Sequence, residues 1–288
     1  MSNHKAIAGI ELGGTKLLCR VVDGSRVLAN ARFATSTPEQ ALADICGCLG
    51  DAPLAAIGIA SFGAVSVNPA SPDYGRILKT PKPGWSGFDL RGALLKRYGV
   101  PVAVDSDVNA AALAERRLGA GQGHGSVAYV TIGTGIGGGL ATPQGVLHGA
   151  LHPEIGHIRL ARRARDDFRG ACPFHGDCAE GLVSGTAIRA RMGGDGAMPP
   201  ETFALVADYL GELAATLVLA WSPQKMIMGG GVMNTPGLLA AAAQAMRASL
   251  GGYGPELTPD YLASPRFADS GLEGALLMAQ EQRDGDAA

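Results

Sequence analysis

The chain has 288 residues, enough for roughly two domains and for a sizeable buried core. With 47% hydrophobic and 17% charged residues, disorder is excluded for most of its length. The formal net charge is −2, from 24 Lys and Arg against 26 Asp and Glu, which excludes a strongly basic field of the kind that holds nucleic acid.

The first element is a short apolar strand, Ala6–Glu11, that ends at Gly13-Gly14. A second run, Leu17–Val22, meets the hairpin signal Asp23-Gly24, and a third strand covers Arg26–Phe33. Pro38–Leu49 then reads as a helix with Thr37 as N-cap and Pro38 in the first turn. Ala55–Ala60 is a buried strand, Arg91–Tyr98 a helix, Pro101–Val104 a strand and Val108–Leu118 a helix. A second meander begins at Ser126–Ile132, turns through Gly133–Gly139 and continues over Leu140 and Ala141. A long helix follows over Pro200–Trp221, then a strand at Met226–Met228 and helices over Leu238–Leu250 and Leu272–Gln282. The polar tail from Glu281 to Ala288 is expected to fray. Strands alternating with helices point to an α/β protein. The order strand, glycine turn, strand, then helices and strands occurs twice, with a linker at Gly119–Gly125. The expected division is 1–118 and 119–288.

Met1–Lys5 lacks a charged segment followed by an apolar one, so no signal peptide is expected. The longest apolar stretch, Leu213–Trp221, falls short of the roughly 20 residues that a membrane span needs. Five cysteines, an odd number, fit poorly with a secreted disulfide framework. The expectation is a soluble, cytoplasmic protein that meets no membrane.

Glycine is the outlier of the composition, with 43 residues. Two glycine turns are suited to phosphate, Glu11-Leu-Gly-Gly-Thr-Lys16 and Gly133-Thr-Gly-Ile-Gly-Gly-Gly139, because backbone N–H groups can converge there without a Cβ in the way. A third, Gly229–Gly231, follows a strand and could lie against a nucleotide. Each alone could equally be a plain hairpin turn. Residues 133–138 match a bare G-x-G-x-x-G, but strand and turn follow where a dinucleotide fold needs a helix, so that fold is rejected. The absence of G-x-x-x-x-G-K-[ST] rejects a P-loop NTPase.

Val102–Asn109 sits where a strand ends and a helix begins, the place where open α/β sheets bind ligands. Asp107 there is either a helix cap or a general base for a substrate hydroxyl. The strongest spacing signal is Cys172-Pro-Phe-His175-Gly-Asp-Cys178 with His157 upstream, a complement for a closed structural zinc site. Buried thiols, a disulfide, or a hydrogen-bonded core histidine are the alternatives. Cys19, Cys46 and Cys48 read as small packing residues.

Taken in order, these motifs resemble the ROK family of sugar kinases, within it the bacterial fructokinase branch, over essentially the whole chain. The likeness rests on Glu11–Lys16, Gly58–Gly63, Thr80–Trp85, Asp105–Asn109, Gly133–Gly139, Glu154–His157 and Cys172–Glu180. It implies a duplicated actin/hexokinase-like (ribonuclease H-like) α/β fold, two domains around a cleft, with the last helix free to return to the N-terminal domain. It implies ATP-dependent phosphorylation of D-fructose to fructose 6-phosphate, with Asp107 as base on the 6-hydroxyl. Asn109, Glu154, His157 and Glu180 match residues that hold sugar hydroxyls, and Gly63 and the loop around Trp85 would line the sugar site. Gly13, Gly14, Thr15, Lys16, Thr134 and Gly135 would serve the ATP phosphates, and Gly230 and Gly231 the adenosine. His157, Cys172, His175 and Cys178 match the zinc ligands, with the zinc structural; Mg²⁺ would accompany ATP. A homodimer is common among such proteins.

Two departures stand out. Most of the family carries Asp where this chain has Glu11, and a cysteine where it has His175; both recur in the fructokinase branch. Other hexoses (mannose, glucose, an N-acetyl-hexosamine) remain open as substrates. A sugar-responsive transcriptional regulator is the alternative from another class, disfavoured by the near-neutral charge and by a first strand at about residue 6 that leaves no room for a DNA-binding module.

Overall fold

The computed structural model describes residues 5–285. The reading of the N-terminus over residues 1–4 and the last part of the frayed tail, 286–288, lie outside the described residues. The chain forms two compact units. The first takes in the chain up to Ala114, Gly145–His152 and the chain from Phe267 on; the second takes in Glu115–Gln144 and Pro153–Arg266. The sequence reading places one cut at 118/119 and leaves the last helix free to return; here the cut falls at 114/115, Gly145–His152 joins the first unit, and so does the last helix.

In the first unit the sheet order is β3-β2-β1-β4-β5. β1 (Ala6–Leu12) pairs antiparallel with β2 (Lys16–Asp23) and parallel with β4 (Leu54–Ser61); β2 pairs antiparallel with β3 (Arg26–Ala34), and β4 parallel with β5 (Val102–Ser106). β1 is buried along its whole length, as its unbroken apolar run requires of a central strand covered on both faces. Ala8, Ile10 and Leu12 pack with Ile45 and Leu49 of α1 (Pro38–Leu49), whose Thr37 hydroxyl accepts the Gln40 N–H as N-cap. α2 (Leu90–Tyr98) is capped in the same way by Asp89. The other face carries α8 (Ser270–Gly285), which approaches so closely that a Cβ on Gly58 would stand 1.9 Å from the Ala275 carbonyl oxygen. Helix-on-sheet contact at backbone distance is therefore the reason for that glycine. α8 continues through Gly285, past the point where the tail was expected to fray.

In the second unit the order is β10-β9-β6-β7. β6 (Val127–Ile132) pairs antiparallel with β7 (Ile136–Thr142) and parallel with β9 (Lys225–Gly229), beside which lies β10 (Leu262–Ala263). The hairpin-plus-parallel-neighbour arrangement β2-β1-β4-β5 thus recurs as β7-β6-β9-β10, the duplicated α/β layout expected. The second glycine turn is shorter than expected: only Gly133–Gly135 turns, and Gly137, Gly138 and Gly139 are ladder positions opposite Thr131, Val130 and Tyr129. Gly138 belongs in the strand because Ile155 packs where its Cβ would be. α3 (Asp107–Arg117) crosses the division between the units, and β8 (Gly145–Val146) lies in the segment that belongs to the first.

The core of the second unit is built around α6 (Pro200–Trp221) and α7 (Leu238–Leu250). α6 is one helix among the described residues that is long and apolar enough, by length and composition, to cross a membrane, so the short run Leu213–Trp221 understated it. Its apolar face is taken up by packing: Val206, Tyr209, Leu210, Leu213 and Leu217 are buried in the core. Two helices escaped the sequence analysis, α4 (Ala179–Val183) and α5 (Gly185–Met192). Both are too short to display a helical period and contain or abut glycine; the local signal was Ser184, whose hydroxyl accepts the Ala187 N–H, and Gly193 in the left-handed C-cap.

Candidate active site

β5 delivers the acidic motif to the start of α3. Asp107 is the first helical residue and its Oδ1 accepts the Val108 N–H at 2.9 Å. The cap of α3 is Ser106, whose Oγ accepts the Asn109 N–H at 3.2 Å. The sequence reading of Asp107 as the capping residue is corrected by one position, and its carboxylate is relieved of that duty. Asn109 is fully buried; its Nδ2 donates to Asp105 Oδ1 at 2.8 Å, while its Oδ1 is buried with no hydrogen-bond partner. A buried unsatisfied carbonyl oxygen is costly, which marks the position as one where a hydrogen-bond donor is wanting among the described residues.

Asp105 in turn faces His148, whose Nε2 lies 2.9 Å from Asp105 Oδ2. The Asp105 hydrogen bond, against some opposing burial, holds the His148 imidazole above its ordinary value. Neither His148 nor His152 was singled out from the sequence; His152 is buried, and its Nε2 accepts the Val65 N–H at 3.3 Å just beyond Gly63. The only local signal was two histidines at i, i+4 ahead of the Glu154 motif.

The sign of this pairing predicts a pH effect. A raised histidine contributes stability that is fully present below the unfolded value of about 6.5 and is lost as pH rises through the higher folded value. In urea denaturation, the stability gap between the wild type and His148→Gln is expected to be widest at acid pH and to close above neutrality. A gap independent of pH would contradict it.

The first glycine turn joins β1 to β2. The Gly13 N–H donates to the Lys16 carbonyl at 2.8 Å, and Gly14 and Thr15 are exposed at its tip. Glu11 is buried, and the extra methylene relative to Asp has a visible use. Its Oε2 accepts the Leu272 N–H at 3.0 Å, in the first turn of α8, where helix N–H groups lack partners. Its Oε1 lies 3.2 Å from Lys16 Nζ, which also meets Asp269 Oδ1 at 2.6 Å. Burial works to lower the Lys16 ammonium; the two carboxylates overcome it and hold the group above the usual lysine value. Gly63 follows β4 and is exposed. Trp85 is fully buried, with its Nε1 donating to the Ser36 carbonyl and its ring edge-on to Phe62 and Phe88. It anchors its loop from the core side; the loop's exposed residues, not the indole, are left to meet a ligand.

In the second unit, Thr134 tips the β6–β7 turn, and its carbonyl accepts the Thr186 hydroxyl at 2.8 Å. A Cβ on Gly135 would stand 2.5 Å from Glu180 Oε2, which accepts the Ile136 N–H at 3.0 Å. Glycine there lets Glu180 lie against the turn. Glu154 is raised by partial desolvation and by the like charge of Glu180. Gly230 has φ 90°, in the left-handed region, and a Cβ there would strike the Ile132 carbonyl. It leads into a single helical turn over Gly231–Asn234. Beside that turn is a cavity of about 470 Å³ with Ile188, Met192, Met198, Phe203, Val232 and Pro236 as its apolar walls and Arg189 and Asp195 as its charges. Apolar walls with a few polar groups suit a flat heterocycle.

His157, Cys172, His175 and Cys178 come together as expected, with one ligand atom from each inside 4.8 Å of the others. Cys172 Sγ is 3.7 Å from His157 Nδ1 and 3.8 Å from His175 Nδ1, and Cys178 Sγ is 3.6 Å from His157 Nδ1. Tetrahedral zinc with ordinary Zn–S and Zn–N bonds requires an S···N edge of about 3.6 Å, so the four residues fit that ion. All five cysteines are free, which removes the disulfide alternative. Burial pushes the Cys178 thiol up to about 11, and a divalent cation would displace that proton. Arg159 braces the knuckle, pairing with Asp177 at 2.5 Å and donating to the His175 carbonyl at 3.3 Å.

Comparison with known proteins identifies the family. A fructokinase of Pediococcus pentosaceus is 37% identical over 281 residues, 95% of this chain and 97% of that protein. A fructokinase of Zymomonas mobilis is 43% identical over 255 residues, 84% of this chain and 85% of that protein. The crystal structure of a ROK family glucokinase from Streptomyces griseus in complex with glucose and AMPPNP superposes with a TM-score of 0.75 at 28% identity, covering 96% of this chain and 99% of that one. The ROK family description matches residues 7–282, and with these likenesses spanning nearly the whole sequence the chain belongs to the ROK family.

Proposed function

We propose that this protein is an ATP-dependent hexose 6-phosphotransferase, a fructokinase that converts D-fructose to fructose 6-phosphate. The observation that carries the reading is the 37–43% identity to fructokinases over most of the chain. The orphan Oδ1 of Asn109, two residues from Asp107, gives it a physical basis, since a sugar hydroxyl is the donor that atom lacks.

Asp107 takes the proton of the 6-hydroxyl as the oxygen attacks phosphorus. Asn109 accepts from a neighbouring hydroxyl, held in place by Asp105, and Gly63 with the Trp85 loop borders the sugar. Glu154 and Glu180 supply further acceptors, and the Nε2–H of His157, whose Nδ1 faces the two thiols, supplies a donor. Gly14, Thr15, Thr134 and Gly135 present backbone amides to the phosphates, with Gly13 shaping the first turn through its N–H on the Lys16 carbonyl; little covalent work is needed there, and positioning and charge dominate. The nucleotide enters as its Mg²⁺ complex, which neutralises phosphate charge, and its adenosine takes the cavity beside Gly230 and Gly231. His157, Cys172, His175 and Cys178 hold a structural zinc, which ties together a loop with little apolar core of its own. The setting is cytoplasmic and the enzyme a homodimer.

A coupled ADP-release assay with ATP and Mg²⁺ on fructose, mannose, glucose and N-acetylmannosamine tests the reading. Fructose is expected to give the highest kcat/KM. A different preferred hexose would overturn the substrate and keep the chemistry; no turnover on any would overturn the kinase.

A further inference from the structure

Two lysines bring ammonium groups to the first glycine turn, and their surroundings differ. Lys16, the lysine of the turn motif itself, is answered within its own unit by Glu11 at 3.2 Å and Asp269 at 2.6 Å. Those two carboxylates already exceed its charge, and Glu11 is further committed to the Leu272 N–H. Lys82 comes from the Thr80–Trp85 loop. Its Nζ donates to the Gly14 carbonyl at 2.6 Å and meets no carboxylate among the described residues.

The loop that carries Lys82 is fastened. Its Lys82 N–H donates to Thr80 Oγ1 at 3.3 Å, the Thr80 N–H to Ser86 Oγ at 3.1 Å, and Trp85 is driven into the core with its Nε1 on the Ser36 carbonyl. A long side chain therefore starts from a fixed base and reaches the tip of the turn. There its charge is balanced only by a neutral carbonyl. That bond is charge-assisted from the donor side alone; exchanging the carbonyl for a phosphate oxygen makes both partners ionised and adds a Coulomb attraction that the carbonyl does not supply.

We propose that Lys82, rather than Lys16, is the cation that the first glycine turn offers to the nucleotide, meeting an oxygen of the terminal phosphoryl group as it transfers. This rests on the kinase reading above. The bond between terminal phosphorus and the bridging oxygen breaks, the bond to the sugar oxygen forms, and the hydroxyl proton passes to Asp107; the ammonium supplies charge and N–H donors alone.

The test uses the full chain with Lys82→Met and Lys82→Arg, reading kcat and KM for ATP and for whichever hexose the wild type turns over best. Calorimetric titration with ADP and with AMPPNP runs beside it. Lys82→Met is expected to lower kcat about 10²-fold with the hexose KM little changed, to weaken AMPPNP more than ADP, and to be partly rescued by Lys82→Arg. An active wild type beside a Lys82→Met variant that keeps its kcat overturns this proposal alone. A loss that comes with a lowered melting temperature, spares no substrate and is not rescued by Arg makes Lys82 structural and also overturns it. A wild type inactive on every hexose overturns the kinase reading, and this proposal with it.

Discussion

Asp107→Asn is expected to lower hexose-dependent turnover by about 10²–10⁴-fold while leaving the fold intact. The substitution is nearly isosteric, and the amide oxygen can still accept the Val108 N–H that Asp107 Oδ1 accepts now. The start of α3 is secured independently by the Ser106 hydroxyl on Asn109, so the helix does not depend on the charge at 107. What the variant loses is the ability to take a proton. The loss should fall on kcat more than on the hexose KM, because proton acceptance matters in the transition state and the substitution leaves Asn109, the proposed sugar contact, in place. The measurement is ADP release under saturating fructose, beside a thermal melt of each protein. Turnover within a few-fold of the wild type would place the base elsewhere.

The second large effect is expected on removing the metal. The purified protein should carry about one zinc per chain by plasma emission spectrometry, and Cys178→Ser or prolonged chelation should abolish it. The S···N edges of 3.6–3.8 Å already match a tetrahedral ion, so little rearrangement accompanies binding. Without the ion, the 157–178 loop keeps Arg159–Asp177 and the Arg191 and Tyr209 bonds to Asp166, but loses the tie among its four ligands. A fall in melting temperature of about 10 °C or more follows if several kcal/mol of binding energy are removed. Amide exchange should rise most at Cys172–Cys178, since the segment's ties to the α6–α7 core lie elsewhere in it, at Ile158, Leu160 and Phe168. A zinc-free protein with unchanged melting and exchange would show the cluster to be incidental.

Much of the architecture was legible because the signals were local. Thr37-Pro38 marked the start of α1 and an apolar face at Ala41, Ile45 and Leu49 its extent, so its ends match the structure. The bounds of α6 and α7 match as well. The Cys/His group was legible from spacing, because three of its four residues lie within seven positions of one another. The four short elements α4, α5, β8 and β10 were not, since two to eight residues hold too little periodicity to declare themselves.

The amino-acid sequence by itself determined the α/β class, the repeated layout, the grouping of His157, Cys172, His175 and Cys178 and the family, all of which depend on spacing along the chain. Only the tertiary structure decided what the charged groups do. It sets Glu11 on the first turn of α8, some 260 residues away in sequence, and pairs Lys16 with Asp269. It leaves Lys82 over Gly14 without a carboxylate among the described residues and brings His148 to Asp105. A charge is assigned its role by whichever groups lie within a few ångströms and by how much water is excluded. Those neighbours come from strands and helices remote in the chain, so no local pattern announces them.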